Sequence, residues 1–249
     1  MLNASSPFSN IPPVVKNLLI LNIICFIGAA FIFPGANRLF GVYYPDSPYF
    51  NWWQIITYMF MHDTSGFTHI FFNMFALFMF GPVLEHVLGT KRFINFYLIT
   101  GLGALVLQFG VQALEVYQIT GTAFARDYIN VAVDGDMLRY KANVPWLQGD
   151  DLTTIAAIYG TTMVGASGAI FGLLVAFGYL FPNTELFLMF IPVPIKAKYF
   201  IPVYIVIELV LGVSRVAGDS VAHFAHLGGA LFGFLLIKYW GIRRPGQWY

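Results

Sequence analysis

Four side chains in this sequence have the chemistry of acyl transfer and a spacing that lets them meet. Ser167 stands in Gly165-Ala-Ser-Gly168 at the mouth of an apolar run, His226 stands near the start of another, and His69 and Asn73 lie four residues apart in a third. A hydroxyl within hydrogen-bond reach of an imidazole nitrogen is the minimum for an activated serine nucleophile. An i, i+4 pair on one helix face aims both side chains at one spot, and a side-chain amide there is a known kind of oxyanion donor. The Ser167 backbone N–H is a further donor if it falls in a first helical turn, where N–H groups have no intrahelical partner. Each residue also has a bland reading. A serine between small residues packs helices, and this one does not follow a strand as a nucleophile elbow does. A lone histidine in an apolar run makes a helix–helix hydrogen bond.

The elements that must position these groups are set by composition. The chain has 249 residues, of which 58% are hydrophobic and 10% charged, against about 25% charged in soluble domains. Six apolar segments emerge at roughly 17–33, 67–88, 93–114, 164–181, 197–213 and 222–240, each near the ~20 residues that a bilayer crossing requires. Pro34-Gly35, Gly89-Thr90, a polar stretch 115–151, Pro182-Asn183 and Gly218-Asp219 separate them. No barrel-like alternation is present, so helices carry the spans. The expectation is an all-α polytopic membrane protein: a segment 1–16, one six-span domain 17–240, and a tail 241–249. A net charge of +1 gives no case for nucleic acid. Cys25 is alone, so no intrachain disulfide forms. Residues 1–15 lack Lys and Arg, so the first span is expected to be retained rather than cleaved as a leader. Asn3-Ala-Ser5 is a glycosylation sequon on the side expected to be cytoplasmic, where it is silent.

Lys16, Lys91, Arg92, Lys196, Lys198, Lys238, Arg243 and Arg244 fall on one side of such a bundle; Arg38, Arg126, Arg139, Lys141 and Arg215 fall on the other. The positive-inside rule then puts both termini in the cytoplasm. Spans two, four and six all run from outside to inside, and His69 with Asn73, Ser167, and His226 lie near their outer ends at one level. Gly168 and Gly172 on span four, and Ala225, Gly229 and Gly233 on span six, form small-residue stripes that let backbones approach closely. The aromatic loop 34–66 is expected at the outer leaflet, and the acidic loop 115–151 in water. Directly after the latter, Leu152–Gly160 reads either as an interfacial helix or as an early start to span four. His62 is expected at the rim, and His223 at the interface or the rim. A metal pair of His223 with His226 is disfavoured because no carboxylate or thiolate joins them in the sequence pattern. Glu85, near a helix C-terminus, reads as a structural hydrogen bond to a neighbouring segment.

Taken in order, Gly165-Ala-Ser-Gly168, His69-Ile-Phe-Phe-Asn73, Ala225-His226-Leu-Gly-Gly229 and Gly81-Pro-Val-Leu-Glu85-His-Val-Leu-Gly89 resemble the rhomboid family of intramembrane serine proteases across roughly 17–240. The resemblance implies a rhomboid-like helical bundle in the cell (inner) membrane with its site opening to the outer side. It implies a Ser167–His226 dyad without a third acid, and oxyanion stabilisation by His69, Asn73 and the Ser167 N–H. Transmembrane protein substrates and the lipid bilayer are the implied partners; no cofactor and no metal are implied. It also implies a membrane-embedded first loop and a mobile fifth span. Three features depart from the family pattern: Gln54 follows Trp53 where many relatives carry Arg, Phe171 stands where a Tyr is frequent, and loop 115–151 is long. Two other function classes compete. A transporter would show an internal repeat or matched broken helices, and neither is seen. An inactive rhomboid-like binding protein would typically lack the serine or the histidine.

Overall fold

The computed structural model describes residues 11–134, 137–187, 193–214 and 222–244. Arg215, the Gly218-Asp219 break, the Asn3-Ala-Ser5 sequon and most of the 1–16 and 241–249 segments lie outside the described residues. Nine α-helices order the described chain: α1 (Pro13–Ile27), α2 (Ala36–Phe40), α3 (Gln54–Thr57), α4 (Thr68–Leu88), α5 (Thr90–Thr120), α6 (Gly149–Gly160), α7 (Ser167–Leu180), α8 (Ala197–Ser214) and α9 (His223–Tyr239). Pro13 starts α1, where a missing N–H removes only a donor that has no partner anyway. A π-helical turn, Gly28–Ile32, extends it.

Four helices are long and apolar enough to cross a membrane: Pro13–Ile32, Thr68–Leu88, Thr90–Thr120 and Ala197–Ser214. The six expected segments all contain helix, but their lengths are unequal. The 14 residues of α7 rise only ~21 Å, short of the ~30 Å hydrocarbon thickness. By contrast, α5 runs 31 residues, about 46 Å, well past the expected end at 114. Gly121 stops it in the left-handed conformation at φ 75°, donating its N–H to the Tyr117 carbonyl at 2.8 Å.

Large apolar side chains point outward on α1 (Ile20, Ile24), α4 (Phe71, Phe75), α8 (Val203, Val210) and α9 (Leu231, Leu235). Such faces suit lipid, and because lipid tails are as apolar as these side chains, close backbone packing must hold the helices together. α7 packs against α4, α5, α8 and α9, and ten of its residues are buried. Gly172 meets Thr100 of α5, where a Cβ would fall 2.7 Å from the threonine Cβ. Between α7 and α9 the contact is backbone on backbone. A Cβ on Gly229 would overlap the Gly168 carbonyl, and one on Gly233 would come 2.7 Å from Gly172 Cα.

Glu85 acts structurally, as its place in the sequence indicates. Its carboxylate accepts from the Val14 N–H at 3.2 Å and the Val15 N–H at 2.9 Å, in the first turn of α1. The negative end of α4 disfavours a carboxylate, but the positive end of α1 is laid against it and supplies donors that lack partners within their own helix.

The long loop departs from the expected all-α form. Strands β1 (Ile129–Asp134) and β2 (Met137–Ala142) pair antiparallel, with Ile129 opposite Ala142 and Asp134 opposite Met137. α6 is separate from α7, which decides between the two readings of 152–160 in favour of a distinct helix. Its first-turn Asp150 and Asp151 suit the helix dipole. This cap has its own core of Tyr44, Val116, Leu147, Ile155 and Tyr159. Asp46 fastens it to the first loop: its Oδ2 accepts the Tyr159 hydroxyl at 2.6 Å and the Arg126 N–H at 3.0 Å. Burial, helped by that carboxylate, pushes the Tyr159 phenol up, so it stays a donor. A second short antiparallel pair, β3 (Glu185–Leu186) with β4 (Ile195–Lys196), lies between α7 and α8.

Gln54 fills a structural position in the first loop. It is fully buried, accepts the Asn51 N–H at 2.9 Å, and donates to the carbonyls of Tyr49 at 3.2 Å and Leu39 at 3.3 Å. A neutral amide, with one acceptor and two donors, satisfies three backbone groups there.

Candidate active site

Residues 161–166 lead into α7 and are pinned on the way. Val42 and Met163 exchange backbone hydrogen bonds at 2.9 and 2.8 Å, and the Gly165 N–H donates to the Tyr58 carbonyl at 3.0 Å. Tyr58 is itself anchored, its hydroxyl donating to the Gly101 carbonyl at 2.7 Å. Gly165 has φ 137°, a region L-residues rarely adopt. That turn delivers Ser167 as the first residue of α7, so its N–H lies in the turn whose donors have no intrahelical acceptor.

Across the glycine contact, His226 lies in the first turn of α9. Its Nε2 is 2.8 Å from Ser167 Oγ. Phe171 lies face to face with the imidazole at 4.3 Å between centroids and 7° between planes. The stacking ring is thus present without a hydroxyl.

His69 and Asn73 occupy the opposing wall on α4. A Cβ at Gly165 would lie 3.0 Å from His69 Nε2 and 3.4 Å from Ser167 Oγ, so the two side chains flank one small space. His69 Nδ1 accepts the Asp63 N–H at 3.3 Å. That places the ring proton on Nε2 and makes it a donor toward the space beside Ser167. Asn73 is buried one turn further along the same helix, and its Nδ2 donates to the His69 carbonyl at 3.1 Å.

Two expectations change at the other imidazole nitrogen. Glu208, on α8, is buried, and its Oε2 accepts from His226 Nδ1 at 2.9 Å and from His223 Nδ1 at 2.7 Å. A carboxylate therefore does join the histidine pair, and an acid does stand behind the His226 ring. The signal was in the sequence, since an acid inside an apolar run is rarely idle. Averaged into the hydropathy of 197–213, it went unread. His223 accordingly sits buried against Glu208 rather than at a rim. His62 is also fully buried, its ring 5.2 Å from that of His69. Burial, with the neighbouring His69 imidazole, pushes His62 down to about 4; it packs as a neutral ring.

The ligand atoms of Glu208, His223 and His226 lie within 4.8 Å of one another, a nitrogen and oxygen set that suits a divalent ion such as zinc. The two hydrogen bonds into one carboxylate oxygen already account for the cluster with protons alone. Chemically, the assembled groups offer a hydroxyl facing a basic nitrogen, beside a space with one imidazole N–H and a helix N-terminal N–H.

Residues 49–243 match the family model described as the rhomboid domain. The chain is 28% identical over 211 residues to an uncharacterized mitochondrial rhomboid protein of Schizosaccharomyces pombe, covering 76% of this chain and 52% of that protein. It is 27% identical over 193 residues to the rhomboid protease AarA of Providencia stuartii, covering 75% and 55% respectively. It is 29% identical over 187 residues to the mitochondrial rhomboid protein 1 of Saccharomyces cerevisiae, covering 73% and 40%. The chain thus spans about half the length of the curated relatives it matches.

Proposed function

The chain belongs to the rhomboid family, and from that premise we propose that it is an intramembrane serine endopeptidase that hydrolyses peptide bonds in or near transmembrane segments of membrane proteins. The observation that carries this reading is the 2.8 Å contact of Ser167 Oγ with His226 Nε2. Ser167 attacks the scissile carbonyl carbon while its proton passes to His226 Nε2. The carbonyl oxygen takes the negative charge in the space flanked by His69 Nε2 and the Ser167 N–H, with Asn73 as a further donor. Collapse of this intermediate breaks the C–N bond, and His226 returns the proton to the leaving amine. Water, deprotonated by the same imidazole, then resolves the acyl-enzyme.

The chain is an integral membrane protein, and six crossings are the arrangement that fits the site. α9 and the short α7 join the four long helices, and a start of α7 below the outer surface puts Ser167 toward the outer side of the bilayer. The protease unit is 17–240, flanked by the cytoplasmic segments 1–16 and 241–249 in the cell inner membrane. Transmembrane proteins of that bilayer are the substrates.

The test uses the reconstituted protein and a fluorophosphonate probe. Wild type is expected to label covalently and to cleave a model transmembrane peptide; Ser167→Ala and His226→Ala are each expected to lose at least ~10³-fold in turnover. Labelling of Ser167→Ala at the wild-type rate, or equal cleavage by all three proteins, rejects the assignment and leaves an inactive binding protein as the reading.

A further inference from the structure

We propose that Glu208 is a positioning residue of this reaction. Its carboxylate, carried in on α8, fixes the His226 imidazole as the Nδ1–H tautomer and stabilises the imidazolium that forms when Ser167 gives up its proton. The inference rests on the Ser167–His226 reading above and deepens it.

The proton assignment follows from the hydrogen bonds. Glu208 Oε2 accepts from His226 Nδ1 at 2.9 Å. An imidazole that donates from Nδ1 keeps its lone pair on Nε2, and that nitrogen faces Ser167 Oγ. The reverse tautomer would leave no base opposite the hydroxyl. His223 donates to the same carboxylate oxygen at 2.7 Å, which holds the Glu208 side chain in place. Phe171 fixes the plane of the His226 ring by stacking, and Glu208 fixes its rotation within that plane.

Charge supplies the second argument. His226 lies in the first turn of α9, where the helix dipole opposes a cation. An imidazolium must nevertheless form there transiently, in surroundings that screen charge poorly. A carboxylate in hydrogen-bond contact with Nδ1 provides the opposing charge, and Glu208, at 4% exposure, is otherwise an expensive group to place in an apolar helix. Through the reaction Glu208 takes no proton. The Oγ proton moves to Nε2 and then to the amine, while the Nδ1–H stays shared with Oε2.

Glu208→Gln keeps the shape and removes the charge. In the reconstituted protein, kcat on a model transmembrane peptide is expected to fall about 10²-fold or more, with KM within about threefold and fluorophosphonate labelling slowed in step. Glu208→Asp, which restores the charge on a shorter stem, is expected to recover part of kcat. A kcat for Glu208→Gln within about threefold of wild type overturns the role of Glu208. The dyad survives that result as long as Ser167→Ala is inactive, whereas an active Ser167→Ala removes the dyad itself. Nitrogen-15 NMR of wild type with labelled histidine, assigned by difference against His226→Ala, needs no folded Glu208 variant. It is expected to show the His226 ring proton on Nδ1, and a proton on Nε2 instead overturns the proposal.

Discussion

Gly229→Ala is expected to abolish both fluorophosphonate labelling and peptide cleavage. The added Cβ would overlap the Gly168 carbonyl and come 2.7 Å from its carbon. The obstacle is backbone on both sides, so no rotamer change relieves it and the helices must part. Overpacking of a tight interior typically destabilises by about 1–3 kcal/mol, occasionally more, and this site belongs at the upper end. Function suffers further, because Ser167 precedes Gly168 and His226 lies one turn before Gly229. A ~1 Å misplacement of reacting groups is enough for a ~10²-fold loss. The control is Gly110→Ala in α5, where a Cβ meets nothing within 4 Å; that variant should keep full activity and gain up to about 1 kcal/mol of helix propensity. Labelling of Gly229→Ala at the wild-type rate would show that the α7–α9 crossing does not set the Ser167–His226 distance.

Gly165→Ala is the second large effect, and it strikes the chemistry directly. The methyl would sit 3.0 Å from His69 Nε2, 3.2 Å from His69 Cε1 and 3.4 Å from Ser167 Oγ. It would fill the space assigned to the developing oxyanion. The backbone at φ 137° adds strain of about 1–3 kcal/mol for a residue with a Cβ. Loss of one oxyanion donor slows such reactions by about 10²–10³-fold, so kcat should drop by at least ~10²-fold, with a smaller change in KM. Single-turnover cleavage reads this without interference from product release. A wild-type kcat in Gly165→Ala would mean that the oxyanion forms elsewhere than between His69 and Ser167.

The sequence marked Gly229 only as part of a small-residue stripe, and Gly165 only as the first residue of Gly165-Ala-Ser-Gly168. Ser167, His226, His69 and Asn73 were legible because polar groups in apolar runs stand out and because parity places alternate spans in the same direction. Phe171 and Gln54 were visible as departures, yet what each does depends on contacts. Phe171 keeps the stacking, and Gln54 satisfies three backbone groups that no local pattern reveals. Glu208 was hidden by averaging: a window over 197–213 registers one acid as a small drop in hydropathy. His62 and His223 read as rim residues, and only the fold shows that both are buried. In the long loop, alternation in Ile129–Asp134 followed by Asp134-Gly135 was a readable hairpin signal, masked by its acidity. The length of α5 was written in Gly121, seven residues past the point at which the apolar run faded.

The acid on α8 gives the site an uneven anatomy. Ser167 and His226 ride on two helices whose backbones touch, whereas Glu208 arrives on a helix that packs against α7 and α9 and turns much of its apolar surface outward. The 18 described residues of α8 rise about 27 Å, close to the ~30 Å hydrocarbon thickness. Mismatch between a helix and its membrane is relieved by tilt or by local thinning, at fractions of a kcal/mol per ångström. On the proposed role of Glu208, a shift of α8 moves the acid relative to His226 while Ser167 and His226 stay on their two touching helices. Lipid acyl-chain length is then expected to alter peptide cleavage by the reconstituted protein, which cleavage in short-chain and long-chain bilayers measures.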